Sequence, residues 1–269
     1  MIILLIVLLA LLAIYLLALR CHRGHKDLAP LRGWAYAHRG LHSEGVPENS
    51  MAAFRAALEA GYGVELDVHL LKDGSLAVFH DGSLLRMTGR EGKPEDLTAE
   101  DLAGYSLAGT DETIPLFSQV LALFAGKAPL IVELKPAGGN HAALCAAACA
   151  MLDAYNCPYC LESFDPRCVY WLKKHRPDLI RGQLSENFFA SKNSPLSPPM
   201  KFFLSHLLEN FLTVPHFVAY KFADRKSLSN FLCRRLWGAQ AVTWTILSQE
   251  DFDTAVAEGY LPIFEGFRP

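Results

Sequence analysis

The sequence predicts an α/β protein: a (β/α)8 barrel with a β-hairpin and a small insertion after its second strand, behind an N-terminal apolar helix. Three observations predict it. Short apolar runs suited to buried strands begin near Ala35, Val64, Leu130, Tyr159, Leu179, Phe217, Ala241 and Tyr260, and eight is the number such a barrel needs. Segments of helical periodicity separate them, as crossovers between parallel strands require. The length of 269 residues suits one domain of this kind, which commonly occupies about 250 residues.

Residues 1–19 carry no charged side chain. That is close to the ~20 apolar residues that cross a bilayer, so the stretch predicts a transmembrane helix. No basic residue precedes it and no small-x-small site follows it, which favours a retained anchor over a cleaved signal peptide. Arg20, Arg23 and Lys26 come next, and positive flanks stay in the cytoplasm. The expectation is a single-pass cell-membrane protein with a linker over 20–31 and a cytoplasmic domain over 32–269. Seven cysteines without a tight framework agree with free thiols in that compartment. A net charge of −3 and the lack of a basic aromatic stripe give no argument for a nucleic-acid partner.

The run 35–38 predicts a buried strand that ends in the polar loop His38-Arg39-Gly40. Asn49 or Ser50 can cap a helix through Ala60, with Gly61 just past its end. Met51, Phe54, Ala57 and Leu58 give that helix one apolar face. A second strand follows over 64–71. With Asp73 and Gly74 as the central pair of a turn, Leu71 faces Leu76 and Asp67 faces His80. Side chains two apart share a strand face, so Glu65, Asp67 and His80 gather at the root of the hairpin.

Two carboxylates on one strand face repel each other unless a cation sits between them. Oxygen-only donors favour a hard ion, magnesium or calcium, over zinc. Such an ion can polarise a phosphoryl oxygen and orient the attacking group. A histidine of near-neutral pKa takes or gives a proton, and the pair His38 and His80 allows base and acid roles together. Arg39 offers a planar fork for phosphate oxygens, and a helix N-terminus near Asn49 favours an anion. Each short pattern is common alone. H-R-G, P-E-N, E-x-D, D-G and H-D in this order within 35–81 is not, and together they point to a metal-dependent phosphodiesterase.

This run resembles the glycerophosphodiester phosphodiesterase family, in which H-R-G, P-E-N-T, E-x-D-V, K-D-G and F-H-D follow one another. Ser50 stands where the threonine is usual. The resemblance implies a TIM barrel with one divalent cation, Mg2+ or Ca2+, at the strand ends. It implies His38 and His80 as the acid–base pair, Glu65 and Asp67 as metal ligands, and Arg39 as a phosphate ligand. Glu133 and Lys135, on one face of the strand 130–135, match the family's E-x-K. Glu133 would complete the carboxylate set and Lys135 would meet the phosphate or the leaving oxygen. Ser163-Phe164-Asp165 and Trp244-Thr245 match an S-F-D and a W-T, which implies Phe164 and Trp244 as pocket walls. The C-terminus departs from the family's Thr-Asp, with Glu265 as a stand-in for the aspartate.

The implied activity is metal-dependent hydrolysis of small-molecule glycerophosphodiesters to glycerol 3-phosphate and an alcohol, by His/His acid–base catalysis. The alternatives are lysophospholipase D-type cleavage of lysophospholipids and a non-catalytic barrel that binds lipid headgroups. The polar stretch 82–115 is expected as an insertion over the strand ends, with a short helix from Thr98 and with Leu84, Leu85 and Met87 in packing roles. Cys157 and Cys160 have the spacing of a redox dithiol, yet they lead into a strand and not a helix. A loop or lid over 185–199 and a Phe- and Leu-rich helix over 201–211 complete the expectations.

Overall fold

The computed structural model describes residues 1–24, 26–191 and 194–269. Its strands are β1 (Tyr36–His38), β2 (Gly63–Leu70), β3 (Leu76–Val78), β4 (Leu130–Leu134), β5 (Tyr159–Ser163), β6 (Arg181–Ser185), β7 (Phe217–Lys221), β8 (Gln240–Ile246) and β9 (Leu261–Phe264). All but β3 run parallel, and β1 pairs with both β2 and β9, which closes the sheet into the expected eight-stranded barrel. The helices are α1 (Ile2–Ala18), α2 (Met51–Glu59), α3 (Leu85–Thr88), α4 (Phe117–Phe124), α5 (His141–Asp153), α6 (Pro166–His175), α7 (Pro198–Ser205), α8 (Asn210–Thr213), α9 (Leu228–Arg235) and α10 (Gln249–Ala257).

Period-two alternation divides the core in two. Tyr36, Ile131, Cys160, Phe217, Val242 and Ile263 fill the barrel, while Ala37, Val64, Val132 and Leu161 face outward onto the helices. Gly182 is the small partner in the inner layer: a Cβ there would lie 2.1 Å from the Phe217 ring. The insertion has its own apolar cluster, with Leu84, Met87, Leu97 and Leu102 packed on Phe79. Leu84 and Met87 thus take the packing roles expected of them, whereas Leu85 is exposed.

Three local expectations change. The hairpin register is Leu70 to Leu76 and Val68 to Val78, one residue from the expected pairing. Among the turn residues only Gly74 has positive φ (86°), so the connection is a three-residue loop and not a two-residue type I′ turn. The Phe79 N–H then donates to the Asp67 carbonyl, and His80 lies beyond the end of the strand. The helix expected over 201–211 is broken after Ser205. The Ser185 hydroxyl donates to the Leu204 carbonyl at 2.8 Å, the Tyr220 hydroxyl donates to that of Ser205 at 2.7 Å, and Leu207 turns left-handed. In place of a helix from Thr98, residues Asp101–Gly104 form one 3-10 turn.

A fourth change concerns the N-terminus. The transmembrane helix expected over 1–19 is α1, a helix of 17 residues. Among the described residues no helix is long and apolar enough to cross a membrane. At ~1.5 Å per residue, α1 falls short of a hydrocarbon layer of about 30 Å. The physical reason lies at Leu19, which leaves the helix to pack, fully buried, with Leu207, Val218, Tyr220 and Cys233. Tyr15 meets the Ser229 hydroxyl at 3.1 Å, and the Trp237 indole donates to the Leu16 carbonyl at 2.9 Å. In the expected linker, Cys21, Leu28 and Leu31 are buried against the barrel. The Lys26 side chain lies outside the described residues.

Candidate active site

Register places the polar side chains at two adjacent levels. His38 on β1 is level with Glu65 on β2, Asp67 is level with Glu133 on β4, and Glu133 is level with Glu162 on β5. All four carboxylates are buried. Glu65, Asp67 and Glu133 each bring an oxygen within 4.8 Å of the others.

The loops after β1 are bent to serve this cluster. Arg39, Gly40 and Asn49 have φ of 57°, 83° and 54°. A Cβ on Gly40 would stand 2.8 Å from that of Ala53, so glycine lets the loop rest directly on α2. The turned backbone aims the Arg39 N–H at Glu65 (3.2 Å) and its guanidinium at Glu48 (2.8 Å) and Asp67 (3.6 Å). Ser50, not Asn49, caps α2 through the Ala53 N–H. Asn49 donates its amide to Asp67 at 2.8 Å. Arg86 of the insertion pairs with both Glu48 and Asp81, and Asp81 accepts from His80 Nδ1 at 2.7 Å. One chain of contacts thereby joins Arg39, Glu48, Arg86, Asp81 and His80.

The electrostatics concentrate buried negative charge at one place. Burial, then the neighbouring carboxylates, push Glu65 well above the ordinary range. Burial lifts Glu133 to about 7 against the pull of Lys135. Burial also tends to raise Asp67, but Lys135, His80 and Arg39 outweigh it and hold this carboxyl below its usual value. Lys135 lies 3.0 Å from Asp67 and 2.7 Å from Glu133. Glu162 is raised by burial and then by Glu133, and its Oε2 has no hydrogen-bond partner. Four buried acids thus face two basic groups, and the donors are all oxygen. Glu65, Asp67 and Glu133 fit a hard divalent cation, which would restore the charge balance.

His38 Nδ1 lies 2.5 Å from Glu265 Oε2, with Nε2 directed toward Glu65 at 3.9 Å. Burial lowers the His38 pKa, partly offset by Glu265, and burial lowers His80 to about 4. Both imidazoles line one cavity of about 40 Å³, together with Arg39, Glu65, Glu133 and Glu162. Phe164 and Trp244 form one of its walls, edge to face with centroids 5.5 Å apart.

The expected site residues His38, Arg39, Glu65, Asp67, His80, Glu133, Lys135, Phe164 and Trp244 therefore come together. Sequence reasoning did not find Glu162, Glu48 or Arg86. Period-two spacing from the inward Cys160 was the available signal for Glu162. Glu48 stood in the P-E-N motif, and Arg86 had no local signal. Cys157 and Cys160 are buried free thiols, pushed up by burial and not activated.

A sequence profile of the glycerophosphoryl diester phosphodiesterase family matches residues 22–201. A glycerophosphodiester phosphodiesterase of Caldanaerobacter subterraneus subsp. tengcongensis is 43% identical over 109 residues, which are 37% of this chain and 44% of that one. A lysophospholipase D of Rattus norvegicus is 35% identical over 112 residues, 37% of this chain and 35% of its own. The chain spans less than half the length of these curated relatives. The barrel is similar to that of an Oleispira antarctica phosphodiesterase solved with the product sn-glycerol-3-phosphate. The TM-score is 0.69 at 23% identity, over 86% of this chain and 92% of that one. A Thermotoga maritima glycerophosphodiester phosphodiesterase has TM-score 0.65 at 21% identity, over 91% and 96%. With its motifs on the strand ends of such a barrel, the chain belongs to the glycerophosphoryl diester phosphodiesterase family.

Proposed function

We propose that the chain hydrolyses glycerophosphodiesters to glycerol 3-phosphate and an alcohol, with one Mg2+ or Ca2+ held by Glu65, Asp67 and Glu133. The observation that carries this reading is the clustering of three buried carboxylates within 4.8 Å of one another, two of which, Glu65 and Glu133, line one cavity with His38 and His80. When bound, the cation supplies charge stabilisation at the phosphoryl oxygens. The protein supplies the rest. Glu265 occupies His38 Nδ1, which leaves Nε2 to accept a proton from the attacking hydroxyl, and it stabilises the imidazolium that forms. His80 is the acid that protonates the leaving oxygen. It is neutral in the free site, and the negative charge of a bound diester favours its protonated form. Arg39, fixed by Glu48, and Lys135, fixed by Asp67 and Glu133, are charged donors in place before charge grows on the phosphate. Phe164 and Trp244 wall the pocket.

The test is release of alcohol from glycerophosphocholine and glycerophosphoethanolamine with each cation added. The expected result is turnover that disappears in His80→Ala. Absence of turnover with either cation overturns the reading and leaves a headgroup-binding barrel.

We further propose that α1 holds the chain at a cell membrane with the barrel on the cytoplasmic side. Its side chains from Ile2 to Leu12 are apolar and exposed, and Arg20 and Arg23 follow it on the surface. Flotation of the chain with anionic vesicles is the expected result. Vesicle binding that survives Leu8→Lys and Leu12→Lys would contradict it.

A further inference from the structure

Two of the buried free thiols meet where α1 joins the barrel. Cys21 lies in the irregular stretch after α1, and Cys233 lies on α9. The Asn210 amide, at the start of α8, donates to both sulfurs at 3.5 Å. Both thiols in turn point at the Leu19 carbonyl, at 3.4 Å and 3.6 Å. Two sulfurs that share one donor and one acceptor lie side by side. Cys145 and Cys168 are also neighbours, with Cys145 Sγ 3.9 Å from the Cys168 carbonyl, but both sit inside helices, α5 and α6.

Position in the chain separates the two pairs. The stretch 20–24 is neither helix nor strand. It is held by the His22 N–H on the Pro215 carbonyl at 2.8 Å, by the Arg23 guanidinium on the Leu236 carbonyl at 2.8 Å, and by the His22 ring against that of His216 at 4.5 Å. These contacts can part without unwinding any element, and local openings of this kind cost much less than global unfolding. Such an opening brings Cys21 and Cys233 to solvent, whereas Cys145 and Cys168 need α5 to leave α6. While the stretch is closed, the hydrogen bond with Cys233 and then burial push the Cys21 thiol well above its ordinary value, and the pair is unreactive.

We propose that Cys21 and Cys233 form a redox pair, oxidised by a low-molecular-weight disulfide to a bond that fastens the end of α1 to α9. On opening, the Cys21 thiolate bonds to one sulfur of the small disulfide and expels the other. The Cys233 sulfur then bonds to Cys21 and expels the second. The two protein thiols lose two electrons, the small disulfide gains them, and the two thiol protons end on the two small thiols released. In reducing surroundings the dithiol is the resting form.

The full chain is incubated with oxidised glutathione at neutral pH, quenched by alkylation in denaturant, digested and mapped by mass spectrometry. Hydrogen exchange at the His22 amide is read before and after oxidation. The expected product is a Cys21–Cys233 disulfide, with the other cysteines recovered as alkylated thiols. Exchange at His22 slows by about tenfold or more, because the cross-link removes openings in which the stretch leaves α9, and dithiothreitol restores it. Cys233→Ser loses both the bond and the slowing. Cys21→Ser repeats the test at the less buried partner, where a change of fold is less of a concern. Oxidation that joins Cys145 to Cys168 first overturns the proposal. So does glutathione held on Cys21 with no bond to Cys233, or full recovery of thiols after an incubation long enough for His22 to exchange. A Cys21–Cys233 bond that leaves exchange at His22 unchanged fastens nothing and overturns it as well.

Discussion

Glu265→Gln isolates one charge at the site. The amide keeps the length and one acceptor of the side chain while removing the anion that faces His38 Nδ1 at 2.5 Å. Glu265 raises the His38 pKa against the effect of burial, so its loss lowers the basicity of His38 and destabilises the imidazolium that forms during turnover. Hydrogen bonds to charged groups contribute about 1.5–3 kcal/mol. The Glu265 side chain is 32% exposed, which favours the lower end through solvent screening. At ~1.4 kcal/mol per factor of ten, kcat falls about 10- to 30-fold. KM changes little, because the charge acts on a proton transfer and not on binding. The assay is choline release from glycerophosphocholine across the pH range. The acidic limb of kcat/KM moves to lower pH, since a weaker base stays deprotonated further into acid. His42→Ala is the control: its Nε2 is 3.6 Å from the other oxygen of Glu265, and it changes kcat far less. An unaltered kcat and acidic limb in Glu265→Gln would refute the role of the His38–Glu265 pair.

Two further outcomes concern the scaffold. Glu209 is buried with both carboxylate oxygens lacking hydrogen-bond partners, and burial raises it to about 8. A raised carboxyl favours the folded state below its unfolded pKa, and that contribution is lost as pH rises toward the folded value. Between about pH 5 and pH 7 the loss is about 2–3 kcal/mol. Glu209→Gln removes it, so urea midpoints of the two proteins diverge at neutral pH and converge in mild acid; parallel curves would contradict the assignment. Gly182→Ala drives a methyl into the Phe217 ring and costs about 1–3 kcal/mol. Phe217→Leu recovers part of that cost in the double variant, and strict additivity of the two would contradict the contact.

The strands of the candidate site were legible because polar side chains interrupt apolar runs. His38, Glu65, Asp67 and Glu133 have no reason to lie in such runs unless they share a task. Parallel pairing then brings them to two adjacent levels without further information. The hairpin was less legible, since Asp-Gly serves two-residue and three-residue loops alike and only the φ of Gly74 decides between them. The break after Ser205 depends on hydroxyls from β6 and β7, and the shortened α1 depends on a barrel surface that captures Leu19. Neither is a local property of sequence. The link from Arg39 through Glu48 to Arg86 joins positions 38 residues apart at its longer step. It exists only because the insertion has its own core.

Cation stoichiometry of the metal-stripped protein, read by equilibrium dialysis alongside diesterase activity, tests the central claim most directly. One Mg2+ or Ca2+ per chain should bind, with turnover of glycerophosphocholine returning in proportion and both vanishing in Asp67→Asn. Full turnover in chelator, or equal cation binding by the wild type and Asp67→Asn, would show that the carboxylates of β2 and β4 are not gathered around an ion.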